Sequence, residues 1–132
     1  MGVSAAARRW VREVSLGRCE YCRMAEAWEP YFHYHVEHII ARQHGGNDDR
    51  SNLAFSCNHC NLLKGPNISS IDPDTGKMTA LFHPRSQEWK DHFVREGGLI
   101  IGRTGIGRTT VFLLQMNAPH RVELRIENGD EF

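Results

Sequence analysis

Two Cys-x-x-Cys steps, Cys19 to Cys22 and Cys57 to Cys60, restrict the folds open to this chain more than any other feature. A tight turn of this kind brings two sulfurs close enough to share one ion, and two such turns complete a tetrahedral zinc shell. If they share it, the 34 residues between Cys22 and Cys57 must leave the metal and return to it. Zinc ribbons usually enclose about 15–20 residues between their pairs. The wider gap predicts a metal that clamps the two ends of an inserted unit.

The compartment bears on this reading. The first thirty residues lack the apolar run and small-residue cleavage pattern of a secretory signal, and no stretch approaches the ~20 apolar residues of a membrane span, so a cytoplasmic protein with no membrane partner is expected. Close cysteine pairs in a reducing compartment favour metal thiolates, with two disulfides or inert core thiols as the alternative. The 132 residues, 40% of them hydrophobic, suit a single domain spanning 1–132. Within it we distinguish a basic N-terminal helix (1–18), a metal-bracketed core (19–65) and an accessory α/β tail (66–132). Sixteen Lys and Arg balance sixteen Asp and Glu, so any polyanion site must be local. Arg8, Arg9, Arg12, Arg18 and Arg23 concentrate positive charge at the front, while Glu127, Asp130 and Glu131 make the other end acidic.

Ser4 can cap a helix carrying Trp10, Val11 and Val14 on one side, with Gly17 as its stop. Ala25 to Tyr34 is an approach loop without period, and His35 to Ala41 has the character of a short strand. Gly45-Gly46-Asn47-Asp48-Asp49 forms a turn-rich link to a second strand at Leu53-Ala54-Phe55. A helix over Asn58 to Lys64, ended by Gly65-Pro66, completes a compact ββα unit. Beyond it, Asp72-Pro73-Asp74-Thr75-Gly76 is a hairpin or loop. Ser86 to Arg95 has helical spacing at Trp89 and Phe93, Leu99-Ile100-Ile101 is a strand, and Thr109 to Met116 and Pro119 to Ile126 are helices with one apolar side each. Val111, Phe112 and Leu114 are expected to pack on the core, with pairing of subunits as the alternative; the chain is expected to be a monomer or weak dimer.

The combination Cys19-x-x-Cys22, Val36-Glu37-His38-Ile39-Ile40, Gly45-Gly46, Asn52-Leu53 and Cys57-x-x-Cys60-Asn61-x-x-Lys64-Gly65 resembles the HNH endonucleases in their zinc-bracketed form. The remainder is similar, less specifically, to the tail of small stand-alone bacterial members. The resemblance implies an α+β fold with a ββα-metal core of the HNH or His-Me finger type, a four-cysteine structural zinc site and flanking helices. It implies that His38 activates water, that Glu37 and Asn61 ligate a catalytic divalent ion, and that Asn52 holds the histidine loop. The third motif position is Asn61 rather than histidine, which suits an oxygen-rich site for Mg²⁺ or Mn²⁺.

The residue types fit that chemistry on their own terms. Hydrolysis of a phosphodiester needs a proton acceptor near neutral pH, which a neutral imidazole provides, and a hard cation to neutralise charge developing on phosphate oxygens. In a regular strand Glu37 and His38 would point to opposite faces and His35 would share the face of Glu37. The chain is therefore expected to leave regular geometry near His38; otherwise His35 becomes the better companion. The other histidines are expected to be structural or exposed.

DNA is the expected partner, with Lys64, Arg42, Arg8, Arg9 and Arg12 as candidate backbone contacts. Gly102-Arg103-Thr104-Gly105-Ile106-Gly107-Arg108-Thr109 mimics a phosphate loop but lacks its lysine and the room for a parallel sheet, so no nucleotide is expected and an ordinary turn between strand and helix explains it. Two further function classes remain: a non-catalytic zinc-stabilised nucleic-acid-binding module and a zinc-stapled protein-interaction domain. Neither requires Glu37, Asn52 and Asn61 arranged around His38.

Overall fold

The computed structural model describes residues 2–129, so Asp130 and Glu131 of the acidic end lie outside the described residues. Helix α1 spans Ala5–Val14. The Ser4 hydroxyl accepts from the Ala7 amide at 3.1 Å, an N-cap that satisfies one of the first-turn donors. Ala7 and Val11, one turn apart, are its buried residues, and Leu16 and Gly17 both adopt positive φ just beyond the end. Trp10 is half-buried, with the guanidinium groups of Arg50 and Arg85 lying 5.2 and 5.5 Å from its ring.

Strands β1 (His35–His38) and β2 (Leu53–Ser56) pair antiparallel, with Glu37 opposite Ala54 and His38 opposite Leu53. The first strand is shorter than the expected His35 to Ala41, because the chain turns away at Ile39 and Ile40. Every residue of β2 is buried, as befits a strand covered on both faces, and Tyr34 tilts against Phe55 with ring centroids 5.4 Å apart. Helix α2 (Asn58–Lys64) follows, so the ββα unit forms with its predicted bounds at the helix. Its N-cap is Cys57, whose sulfur accepts from the Cys60 amide at 3.3 Å.

The tail forms two further antiparallel hairpins, β3 (Ser69–Ile71) with β4 (Met78–Ala80), and β5 (Phe93–Glu96) with β6 (Leu99–Gly102). Here the structure corrects the helix expected over Ser86 to Arg95. Only one turn forms, α3 (Trp89–His92), and the chain then extends so that Phe93 pairs opposite Gly102. Trp89 anchors this change: its indole donates to the Tyr21 carbonyl at 2.7 Å, and Phe93 stacks on it with centroids 5.0 Å apart. The four-residue spacing of the two aromatics thus serves a turn and a strand, which satisfy the same buried face.

Helix α4 (Gly105–Leu113) starts earlier and ends earlier than the expected Thr109 to Met116. Thr104 caps it by accepting from the Gly107 amide at 3.1 Å. Of the glycines that mimic a phosphate loop, Gly102 ends β6 while Gly105 and Gly107 lie in the first turn of α4, where a Cβ on Gly107 would fall 2.0 Å from the His92 carbonyl oxygen. Leu114 is fully buried and Val111 half-buried, as expected, but Phe112 is 65% exposed. The buried residues of helix α5 (Pro119–Asn128) are Arg121 and Arg125 where an apolar side was expected. One hydrophobic cluster nevertheless draws on Val11, Phe55, Phe82, Phe93, Ile100 and Leu114, so front, ββα unit and tail share a core. No helix among the described residues is long and apolar enough to cross a membrane.

Candidate metal-dependent active site

Cys19, Cys22, Cys57 and Cys60 are buried, and their sulfurs lie within 4.8 Å of one another, Cys22 and Cys57 at 3.8 Å. Zn–S bonds of ~2.3 Å in a tetrahedron place sulfurs about 3.8 Å apart, so the spacing fits a single zinc ion. All four are free thiols. Thiols packed this closely cannot all ionise alone: hydrogen bonds from neighbouring thiols pull Cys22 well down, while the same neighbours push Cys57 and Cys60 up. A divalent cation removes that conflict by stabilising every thiolate at once.

Glu37, His38 and Asn61 line one cleft of about 430 Å³ with Ala41, Arg42, Gln43, Gly65 and Pro66. Strand β1 brings the first two to it from its last two positions, and helix α2 brings Asn61, the residue directly after a ligand cysteine. Glu37 is buried, and its Oε1 has no hydrogen-bond partner, whereas Oε2 lies 3.7 Å from Lys64 Nζ. Burial pushes the Glu37 carboxyl up, opposed by the Lys64 ammonium and the hydroxyl of fully buried Tyr21. The half-buried Asn61 side chain reaches the same cleft from the helix side. An orphaned carboxylate oxygen and an amide in one cleft form a hard donor set that fits a divalent cation.

His38 is half-buried, and its Nε2 lies 2.7 Å from Asp48 Oδ1, which also accepts from Arg42 at 2.8 Å. The hydrogen bond from His38, aided by Arg42, holds the Asp48 carboxyl below its ordinary range. Asn52 closes the loop behind the histidine. Its Oδ1 accepts from the Ile40 amide at 2.8 Å, and its Nδ2 donates to the carbonyls of Ile40 at 3.0 Å and Asn47 at 2.8 Å. The same packing explains Gly46: a Cβ there would sit 1.7 Å from the Ile40 oxygen.

The remaining expected residues divide. His35 is exposed, contacts Asn58 Oδ1 at 3.3 Å and does not line the cleft. Lys64, expected on DNA, is instead 1% exposed: its ammonium donates to the Ile39 carbonyl at 2.9 Å and faces Glu37, so it lies inside the protein. Arg12 is paired with Glu26 and lies over the Phe55 ring, while Arg8 and Arg9 are exposed and Arg42 lines the cleft. Sequence reasoning placed Asp48 in the turn only and missed Tyr21 and Arg121; an acid in a glycine-rich turn carries no mark separating a turn former from a histidine partner.

A short antiparallel pair leading into a helix, with a carboxylate, a histidine and an amide lining one cleft beside a four-cysteine cluster that could hold zinc, defines a ββα unit in an α+β fold. Residues 19–67 match the family model described as HNH endonuclease. No curated protein and no solved structure matches the chain.

Proposed function

We propose that this protein is a divalent-metal-dependent endonuclease that hydrolyses DNA phosphodiester bonds, stabilised by zinc on Cys19, Cys22, Cys57 and Cys60. The observation that carries this reading is the convergence of Glu37, with an unpartnered buried oxygen, His38 and Asn61 on one cleft. Glu37 and Asn61 would hold Mg²⁺ or Mn²⁺, which when bound would supply Lewis acidity to the phosphate oxygens.

Nε2–H of His38 donates to Asp48, which leaves the lone pair on Nδ1 to take the proton of the attacking water. Asp48 fixes the imidazole tautomer and stabilises the imidazolium formed on proton transfer, as the aspartate of a serine-protease triad does. Asn52 keeps the loop from Ile40 to Asn47 closed so that this geometry persists between turnovers. Arg42, which lines the cleft, and the exposed Arg8 and Arg9 are the candidate phosphate contacts.

The test is a supercoiled-plasmid assay with Mg²⁺, Mn²⁺ or EDTA, comparing wild type with His38→Ala and Asn61→Ala. Nicking by wild type in either metal, abolished by EDTA and by both substitutions, is expected. A wild type that binds the plasmid but never nicks it would instead establish the non-catalytic nucleic-acid-binding module.

A further inference from the structure

Helix α5 carries two arginines into the interior beside the cysteine cluster. Arg121 is 2% exposed, and its Nη2 donates to Cys57 Sγ at 3.1 Å and Cys22 Sγ at 3.5 Å. Its Nη1 pairs with Glu29. One turn further on, Arg125 is fully buried and donates to the carbonyls of Gly98 at 2.8 Å and Met116 at 2.6 Å. A buried guanidinium is costly unless an opposite charge faces it. Four thiolates around one dication leave an excess of two negative charges, to which the Glu29 carboxylate adds a third, and the two arginines of α5 set two positive charges against them.

We propose that Arg121 is an outer partner of the four-cysteine metal centre: through N–H···S hydrogen bonds to Cys57 and Cys22 it neutralises the loaded cluster, so that metal retention and docking of α5 depend on each other. The inference rests on the zinc reading and extends it to a residue far outside the matched segment. Hydrogen bonds to a thiolate draw charge off sulfur, which slows both its release of metal and its attack on electrophiles. Without the metal the thiolate charge falls, which leaves Arg121 to its pair with Glu29 and Arg125 to its bonds with backbone carbonyls. Helix α5 then loses part of what holds it.

The experiment uses the full chain, loaded with zinc or with cobalt(II). In Arg121→Met, zinc transfer to a chromogenic chelator should accelerate by about 10- to 100-fold, with thiol alkylation keeping pace. Arg121→Lys, which keeps the charge but not the fork, should fall between. The sulfur-to-cobalt charge-transfer band should move in both variants and stay in place in Glu29→Gln, which keeps the N–H···S bonds. Hydrogen exchange should show α5 losing protection before α1 as the chelator removes zinc. An Arg121→Met protein that binds zinc but shows wild-type release and an unmoved band overturns the proposal. If that variant does not fold, an Arg121→Lys protein indistinguishable from wild type in both readouts overturns it equally. A folded wild type free of metal would refute the zinc reading itself, a separate outcome read by elemental analysis.

Discussion

The ammonium of Lys64 stands 3.7 Å from the carboxylate of Glu37, and both side chains are almost wholly removed from solvent. Lys64 thereby supplies a positive charge that opposes the upward push of burial on the Glu37 carboxyl, next to the cleft where a divalent ion would share that task. Replacing one member of a buried pair leaves the other uncompensated, a cost of about 3–5 kcal/mol. Lys64→Met should therefore lower the unfolding free energy of the zinc-loaded protein by about 3 kcal/mol in urea titrations without added Mg²⁺ or Mn²⁺, and added Mn²⁺ should recover part of it. The double variant Lys64→Met/Glu37→Gln should cost less than the sum of its parts. Strict additivity would show that the two groups do not act as a pair.

Asp48 is expected to matter for turnover more than for binding. Asp48→Ala frees the His38 imidazole to rotate and to change tautomer, so single-turnover cleavage should slow by about 10- to 100-fold. DNA affinity of the zinc-loaded protein, measured without added Mg²⁺ or Mn²⁺, should change little. An Asp48→Ala enzyme that cleaves at the wild-type rate removes this residue from the mechanism.

Asn52→Ala deletes three hydrogen bonds and strands the Ile40 amide and carbonyl. Each buried group left unpaired costs about 1–3 kcal/mol. Exchange of the Ile40 amide should become much faster than in wild type while α1 is unaffected. Gly46→Ala should act more severely, since its Cβ would overlap the Ile40 carbonyl; equal melting temperatures for Gly46→Ala and wild type would contradict the close approach.

Zinc removal should unfold the ββα unit. Cys57 holds both a ligand sulfur and the N-cap of α2, so Cys57→Ser should lose the metal together with the share of the far-ultraviolet helix signal that α2 contributes. About one zinc per wild-type chain is expected by elemental analysis.

Acid should weaken the tail through Asp72, whose carboxyl the Arg108 guanidinium holds at about 2. A carboxyl lowered in the folded state binds fewer protons there than in the unfolded chain, so its contribution is present above the usual value near ~4 and is lost as pH falls toward the folded value. The gap in melting temperature between wild type and Asp72→Asn should be widest near neutrality and close between about pH 4 and 2. A gap that stays constant over this range would contradict the assignment.

The ββα unit was legible because its signals are local. Asn58 to Lys64 lies between a capping cysteine and Gly65-Pro66, and the structure places α2 over the same residues. Convergence of Cys19, Cys22, Cys57 and Cys60 followed from ligand chemistry and is observed. Long-range charge partners were not legible. Nothing near Lys64 shows that it turns inward to Ile39 and Glu37, and nothing near Arg121 shows that it meets sulfurs 64 and 99 residues away. In α5 this inverted the expected polarity of the buried face, because an arginine facing thiolates can occupy an interior position ordinarily given to leucine. The strand at Phe93 was misread for a different reason: spacing alone fits a helix, and only the hairpin with Leu99–Gly102 decides otherwise.

The position of the cysteine pairs has one more consequence. The stretch from Arg42 to Gly45, exposed at Gln43, His44 and Gly45, lies between them, with Glu37 and His38 on one side and Asn61 on the other. A single proteolytic cut there would divide the cleft between two fragments, each carrying one cysteine pair. One ion and the β1–β2 ladder would still splice them into a working unit, so the two pieces, expressed separately, should complement each other only where zinc is present.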